Sequence, residues 1–224
     1  MSNAPTKHSR SACRSLVLED IDWQTYTRLL RAFAEQPGVR LTYDRGVLEI
    51  RSPLHEHESD ADLLGRFVVV LTEELGLPIK AGRSTTLRRR RRRRGLEPDH
   101  SWWIANEPRV RGKRRISLRV DPPPDLAVEG DVASSSLRRL SIYAALGVPE
   151  VWRLDDQGLT FHVLQPDGRY AVGSHSRAFP IVAPADLMAF LPLRASLDEN
   201  AVVRQFRAWV QQRLAGGAAA PRSP

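Results

Sequence analysis

One short stretch constrains this chain more than any other. After Pro122-Pro123-Pro124, the residues Asp125, Ala127, Glu129 and Asp131 alternate with Leu126, Val128 and Val132. A period of two marks a strand, because successive side chains leave opposite faces. Here one face is apolar and the other carries acids. Roughly thirty residues upstream, Pro98-Asp99 lies in a second strand-like segment, Leu96 to Ile104, in which Asp99, Ser101 and Trp103 share a face. Acidic side chains on neighbouring strands can grip a magnesium ion, which prefers oxygen ligands and needs one or two carboxylates beside water and a substrate phosphate. Asp99 and Glu129 are the candidate ligands. The bland alternative is that both are solvated strand-end acids.

Seven consecutive arginines, Arg88 to Arg94, lead almost directly into Pro98-Asp99. The formal net charge is +8, so the run carries most of the excess and the basicity is local. Three readings stay open for Arg88, Arg89, Arg90, Arg91, Arg92, Arg93 and Arg94. They track a nucleic-acid backbone through phosphate contacts, they form a solvated loop, or they bind another acidic partner.

Cys13 is the single cysteine among 224 residues, which excludes an intramolecular disulfide framework and a CxxC zinc site and fits a reducing cytoplasm. No apolar run approaches the roughly 18 residues of a membrane span, and Met1 to Arg14 has no apolar h-region. A cytoplasmic chain without membrane contact is expected. The polar segment 1–15 and the Gly/Ala/Pro-rich segment 215–224 are expected to be disordered tails flanking one domain over 16–214.

Within that domain, helical spacing of Tyr26, Leu29, Leu30 and Phe33 predicts a helix from Leu16 to Ala34 that Asp22 can cap. Val39–Tyr43 and Val47–Arg51 form a hairpin around Asp44-Arg45-Gly46. A helix spans about Glu56 to Leu75, Ile79 to Thr86 is a strand, and Asn106 to Asp121 is a basic loop. Ser134-Ser135-Ser136 offers caps for a helix from Leu137 to Leu146, which Gly147 ends. Val148–Leu154, Leu159–Leu164 and Tyr170–Val172 are strands. Helices over Pro184–Leu191 and Asp198–Leu214 close the chain. The order implies an α/β domain with a mixed central β-sheet flanked by helices. Trp102 and Trp103 either both enter the core, or one of them stays open to base stacking.

Several motifs together resemble the Uma-two family of bacterial endonucleases, part of the PD-(D/E)XK, restriction-endonuclease-like superfamily. They are Tyr43 to Pro53 (YDRGVLEIRSP), Glu56-His57-Glu58, Gly95-Leu96-Glu97-Pro98-Asp99, Pro123 to Glu129 (PPDLAVE) and Tyr143 to Trp152 (YAALGVPEVW). The resemblance covers about Ile21 to Leu191. It implies a restriction-endonuclease-like core, with Asp99 as the Pro-Asp acid and Glu129 as the second acid. The superfamily's lysine, two residues after that acid, is replaced here by Asp131, which becomes a candidate third metal ligand. The basic residue corresponds instead to Arg139. An arginine stays protonated and cannot act as a base, but it can clamp a phosphate. His57 matches a histidine at the start of the family's first core helix, where it contacts a phosphate or metal-bound water, or simply sits at a helix start.

These residues imply a metal-dependent endonuclease hydrolysing phosphodiesters of nucleic acid, DNA before RNA, with Mg2+ or Mn2+ as cofactor and a homodimer as a plausible assembly. The alternative is a catalytically inactive nucleic-acid-binding or regulatory domain of the same fold, which the Asp131 and Arg139 departures favour.

Overall fold

The computed structural model describes residues 14–36, 38–52, 55–82, 85–130 and 137–218, the side chains of 14, 55–59 and 217–218 excepted. The chain begins with a strand where the sequence predicts a helix. β1 (Arg14–Leu18) lies antiparallel to a later strand, with Leu16 opposite Ile50, so the helical spacing starts later than Leu16. α1 (Trp23–Ala32) follows Asp22, whose carboxylate accepts the Thr25 N–H at 2.6 Å and caps the helix as expected.

β2 (Arg40–Asp44) and β3 (Val47–Ser52) form the expected hairpin. Its two turn residues, Arg45 and Gly46, have φ of 51° and 111°, the left-handed geometry that a two-residue hairpin turn needs. α2 (His55–Glu74) matches the predicted helix. Of the strand expected over Ile79–Thr86, only β4 (Lys80–Ala81) pairs.

The arginine run folds into a hairpin. β5 (Leu87–Arg89) and β6 (Arg94–Leu96) pair antiparallel, Arg90–Arg92 make one 3-10 turn, and Arg93 takes a φ of 48°. The strand expected over Leu96–Ile104 is broken at Glu97-Pro98-Asp99. β6 belongs to one sheet and β7 (His100–Trp103) to another. Pro98 has no N–H to give a ladder, and the chain crosses between the sheets there. The basic loop contains one short helix, α3 (Glu107–Val110).

β8 (Leu126–Gly130), α4 (Arg139–Leu146), β9 (Glu150–Asp155), β10 (Gly158–Leu164) and β11 (Tyr170–Gly173) follow the predicted order. α5 (Pro184–Met188) is shorter than expected, because a separate 3-10 turn covers Leu191–Ala195. α6 (Glu199–Ala218) runs on through 215–218, which composition assigns to a tail. The predicted N-terminal tail lies outside the described residues up to position 13, and so do 219–224 and the serine cap at 134–136.

The mixed sheet has the order β11-β10-β9-β8-β7-β4, and β8 and β9 are its parallel pair. The second sheet, β1-β3-β2-β6-β5, is antiparallel throughout. β8 is buried along its whole length. Leu126 and Val128 pack with Leu64, Phe67 and Val68 of α2 and with Phe206 and Val210 of α6. Ala127, on the opposite face, packs with Ile142, Tyr143 and Leu146 of α4. This is the sandwich that binary patterning demands, with apolar residues on both faces of a central strand. Trp102 and Trp103 are both buried. No helix among the described residues is long and apolar enough to cross a membrane.

Candidate functional site

β7 and β8 set the two sequence-predicted acids beside each other. They pair antiparallel and the ladder ends with His100 opposite Val128, so Asp99 and Glu129 each stand one residue beyond that pair. Asp99 sits in the bend just before β7, and its Oδ2 accepts the Gly130 N–H at 2.8 Å. That bond fastens the Pro-Asp bend to the end of β8.

Glu129 points to the α4 side of the sheet, as Ala127 does. It is 3% exposed, and the polar groups around it come from the helix. Arg139 and Tyr143 are four residues apart, so they lie on one face of α4. Arg139 donates to Glu129 Oε1 from Nε at 3.2 Å and from Nη2 at 2.5 Å, and the Tyr143 hydroxyl donates to the same oxygen. Burial pushes the Glu129 carboxyl above its usual range; Arg139 opposes that and the Asp99 charge adds to it. Burial also raises the Tyr143 hydroxyl, with the Glu129 charge acting in the same direction.

Arg139 reaches further than the acid. Its Nη1 donates to the Thr42 hydroxyl on β2 at 2.7 Å, and Nη2 donates to the Glu97 carbonyl at 2.8 Å. One buried guanidinium therefore joins α4, both sheets and the Pro-Asp bend. Four of its five N–H donors are used inside the protein, and it is 5% exposed. Glu97 itself is held by the Thr86 hydroxyl at 2.7 Å and sits with its carboxyl raised by burial.

Two cavities flank the acids. Glu129, Arg138, Arg139, Ser141, Tyr143 and Arg153 line one of about 370 Å³. Asp99, Asp62, His100 and Arg40 line a second of about 110 Å³. Each candidate acid thus opens onto its own cavity. Asp62 on α2 is the residue that sequence reasoning missed. Its Oδ1 lies 2.7 Å from His100 Nε2, a contact with no spacing signal because it spans 38 residues.

The other candidates are placed as follows. Asp131 lies outside the described residues, and His57 falls in the first turn of α2 with its side chain outside them. Among the described residues, no three His, Cys, Asp or Glu side chains gather as a metal cluster. The donor set still suits a hard cation. Asp99 and Glu129 offer carboxylate oxygens, the donors a hard cation takes, each at its own cavity. In the arginine run, Arg94 turns inward, giving Nε to Asp44 at 2.7 Å and Nη1 to the Ser141 carbonyl at 3.1 Å. Arg88 and Arg90 to Arg93 are exposed.

Three further acids have structural work. Asp125 accepts the N–H groups of Ile104 and Asn106 at 2.7 and 2.9 Å, closing the turn after β7. Glu150 is buried and accepts from Trp152 Nε1, the Ser176 hydroxyl and the N–H groups of Arg177 and Ala178. Glu107 pairs with Arg111 at 2.6 Å.

A solved structure of a putative nuclease of the DUF820 family from Anabaena variabilis shares 16% identity, with a TM-score of 0.48 over 71% of this chain and 97% of that one. Comparison with curated proteins gives no match. The Uma2 family model, described as "Putative restriction endonuclease", matches residues 23–186. That span holds Asp99, Glu129, Arg139 and every strand of the two sheets except β1, and the chain belongs to this family.

Proposed function

We propose that the protein is a metal-dependent nuclease that hydrolyses phosphodiester bonds, with DNA as its substrate. The observation that carries this reading is the bond from the Gly130 N–H to Asp99 Oδ2 at 2.8 Å, which fastens one acid beside the end of the strand that carries the other, Glu129. Membership of the family supports it.

Asp99 and Glu129 would hold a magnesium or manganese ion through carboxylate oxygens, and Asp131 is the candidate third ligand. When bound, such an ion supplies an acidified water and neutralises charge on the phosphate. The chain's own residues prepare that site. Gly130 N–H fixes the Asp99 carboxylate, leaving its rotation little freedom. Arg139 and Tyr143 hold Glu129 at one oxygen, and Arg139 opposes the upward push that burial gives that carboxyl. Arg139 is thus a positioning residue; Arg138, lining the Glu129 cavity, is a cation available to a phosphate, and Arg153 beside it pairs with Asp155 at 3.3 Å. Hydrolysis adds water across a P–O bond and leaves a phosphate monoester and a hydroxyl.

A second reading has its own observation. Arg139 gives four of its five N–H donors to Glu129, Thr42 and Glu97, and the two acids line separate cavities. That arrangement suits a domain that kept the fold and binds nucleic acid without cutting it. Supercoiled plasmid incubated with the protein and Mg2+ or Mn2+ separates the two. Nicking by the parent, lost in Asp99→Asn at unchanged thermal stability, supports the nuclease. Intact plasmid with the parent in both metals sinks it and favours the binding domain.

A further inference from the structure

A strongly basic concavity lies apart from both cavities beside the acids. It is a trough of about 570 Å³ bounded by the C-terminal end of α1, β4, the first residue of the arginine run and the loop 113–116. Arg31, Lys80, Arg88, Lys113, Arg114 and Arg115 line it, and no carboxylate does among the described residues. β4 and β5 are the edge strands of the two sheets, so the trough lies where two sheet edges meet.

Two of the six cations are anchored. Lys113 pairs with the buried Asp121, and Lys80 Nζ donates to the Lys113 carbonyl at 3.1 Å and lies within electrostatic reach of Glu107. These contacts fix the loop against β4. The guanidinium groups of Arg31, Arg88, Arg114 and Arg115 remain at the exposed surface. Gathering four arginines around one concavity costs self-repulsion, which a polyanion relieves. Their planar forks match phosphate oxygens better than lysine ammonium groups do.

We propose that this trough binds the sugar-phosphate backbone of a nucleic acid, holding it outside the Asp99–Glu129 site. The inference rests on the nuclease reading for its choice of polyanion. It also revises the part played by the arginine run. Arg88 is the member that lines the trough, whereas Arg94 is spent on Asp44 and Ser141. The basic loop 113–116, distant in sequence, supplies Lys113, Arg114 and Arg115. A backbone lying there makes contacts that are independent of base sequence and sensitive to salt.

The test is fluorescence anisotropy of a labelled DNA duplex with the full chain in EDTA, so that no cleavage occurs, over a range of salt. Arg114→Ala/Arg115→Ala should weaken binding and lower the slope of log K against log salt by about two, about one per phosphate contact removed. Arg169→Ala/Arg204→Ala, which removes the same charge from the β10–β11 turn and α6, should leave the slope where it was. Equal losses from both double variants, or parental binding by the trough variant, overturn the proposal. So does a labelled poly-glutamate peptide that binds the parent as tightly as the duplex and loses affinity with the trough variant, since that assigns the trough to acidic protein. Binding through the trough without plasmid nicking leaves this inference standing and removes only the nuclease.

Discussion

Arg139 places Nε and Nη2 on one oxygen of Glu129, at 3.2 and 2.5 Å, with both side chains buried. A buried pair of this kind adds little net stability when intact, because desolvation offsets the attraction. Breaking it is another matter, since the surviving charge has no water to turn to. Arg139→Ala should therefore destabilise the fold by about 3–5 kcal/mol. Arg139→Ala/Glu129→Gln should recover part of that loss by removing the orphaned charge. Urea unfolding checks both. An Arg139→Ala variant as stable as the parent would mean that the guanidinium is a surface ligand and not a lock.

Tyr143 supplies the second donor to the same oxygen. Tyr143→Phe keeps the ring in its packing against Ile142 and Leu146 and deletes only the hydroxyl. The expected cost is about 1–3 kcal/mol, the range for a hydrogen bond to a charged, buried acceptor. A larger loss would show that the ring had moved. Retained near-ultraviolet circular dichroism would show that it had not.

The central sheet was legible in the sequence because its strands obey a period of two and its helices end at Gly and Pro. The alternation from Asp125 to Asp131 correctly separates Leu126 and Val128 from Ala127 and Glu129. Two errors have physical causes. Leu16 to Ala34 satisfies a helical period, yet Leu16 gains more by pairing with β3, a contact 34 positions away. Leu96 to Ile104 satisfies a strand period, but Pro98 interrupts it and the two halves join different sheets. At the site, the sequence names Asp99 and Glu129 through strand patterning and Arg139 through a family likeness. It gives no sign that Arg139 and Tyr143 grip Glu129 together, because only the docking of α4 creates that contact. Asp62 and the placing of the basic 113–116 loop beside Arg88 escape for the same reason, since their neighbours are distant in the chain.

Glu97 makes stability depend on pH in a definite direction. Burial raises its carboxyl above the ordinary 4.5, although the Thr86 hydroxyl and the Leu41 N–H pull the other way. The folded state therefore holds the proton more tightly than the unfolded chain. Its contribution is fully present below pH 4.5 and is lost as pH rises through the higher folded value. Glu97→Gln removes that loss. The variant should gain stability relative to the parent as pH climbs above 4.5, then run parallel to it once the folded carboxyl has ionised. Thermal unfolding from pH 4 to 8 measures the difference, and a gap that shrinks with rising pH would contradict the assignment.

Gly95 ends the arginine run for a reason of space. A Cβ there would lie 2.4 Å from the Tyr26 hydroxyl oxygen and 3.0 Å from Arg88 Cβ. Tyr26 cannot step aside, because its ring stacks on Tyr43 at 4.6 Å between centroids and is buried. Gly95 also sits in β6 opposite both Tyr43 and Arg88, so a shift there moves the hairpin that presents Arg88 to the trough. Gly95→Ala should cost about 1–3 kcal/mol by overpacking. It should also weaken binding of the labelled duplex at fixed salt, although no charge has been removed. If Gly95→Ala loses stability while binding stays at the parental level, the trough does not need β5 to hold its place. Loss of both together ties the packing of Tyr26 on the first sheet to the position of Arg88 at the basic surface.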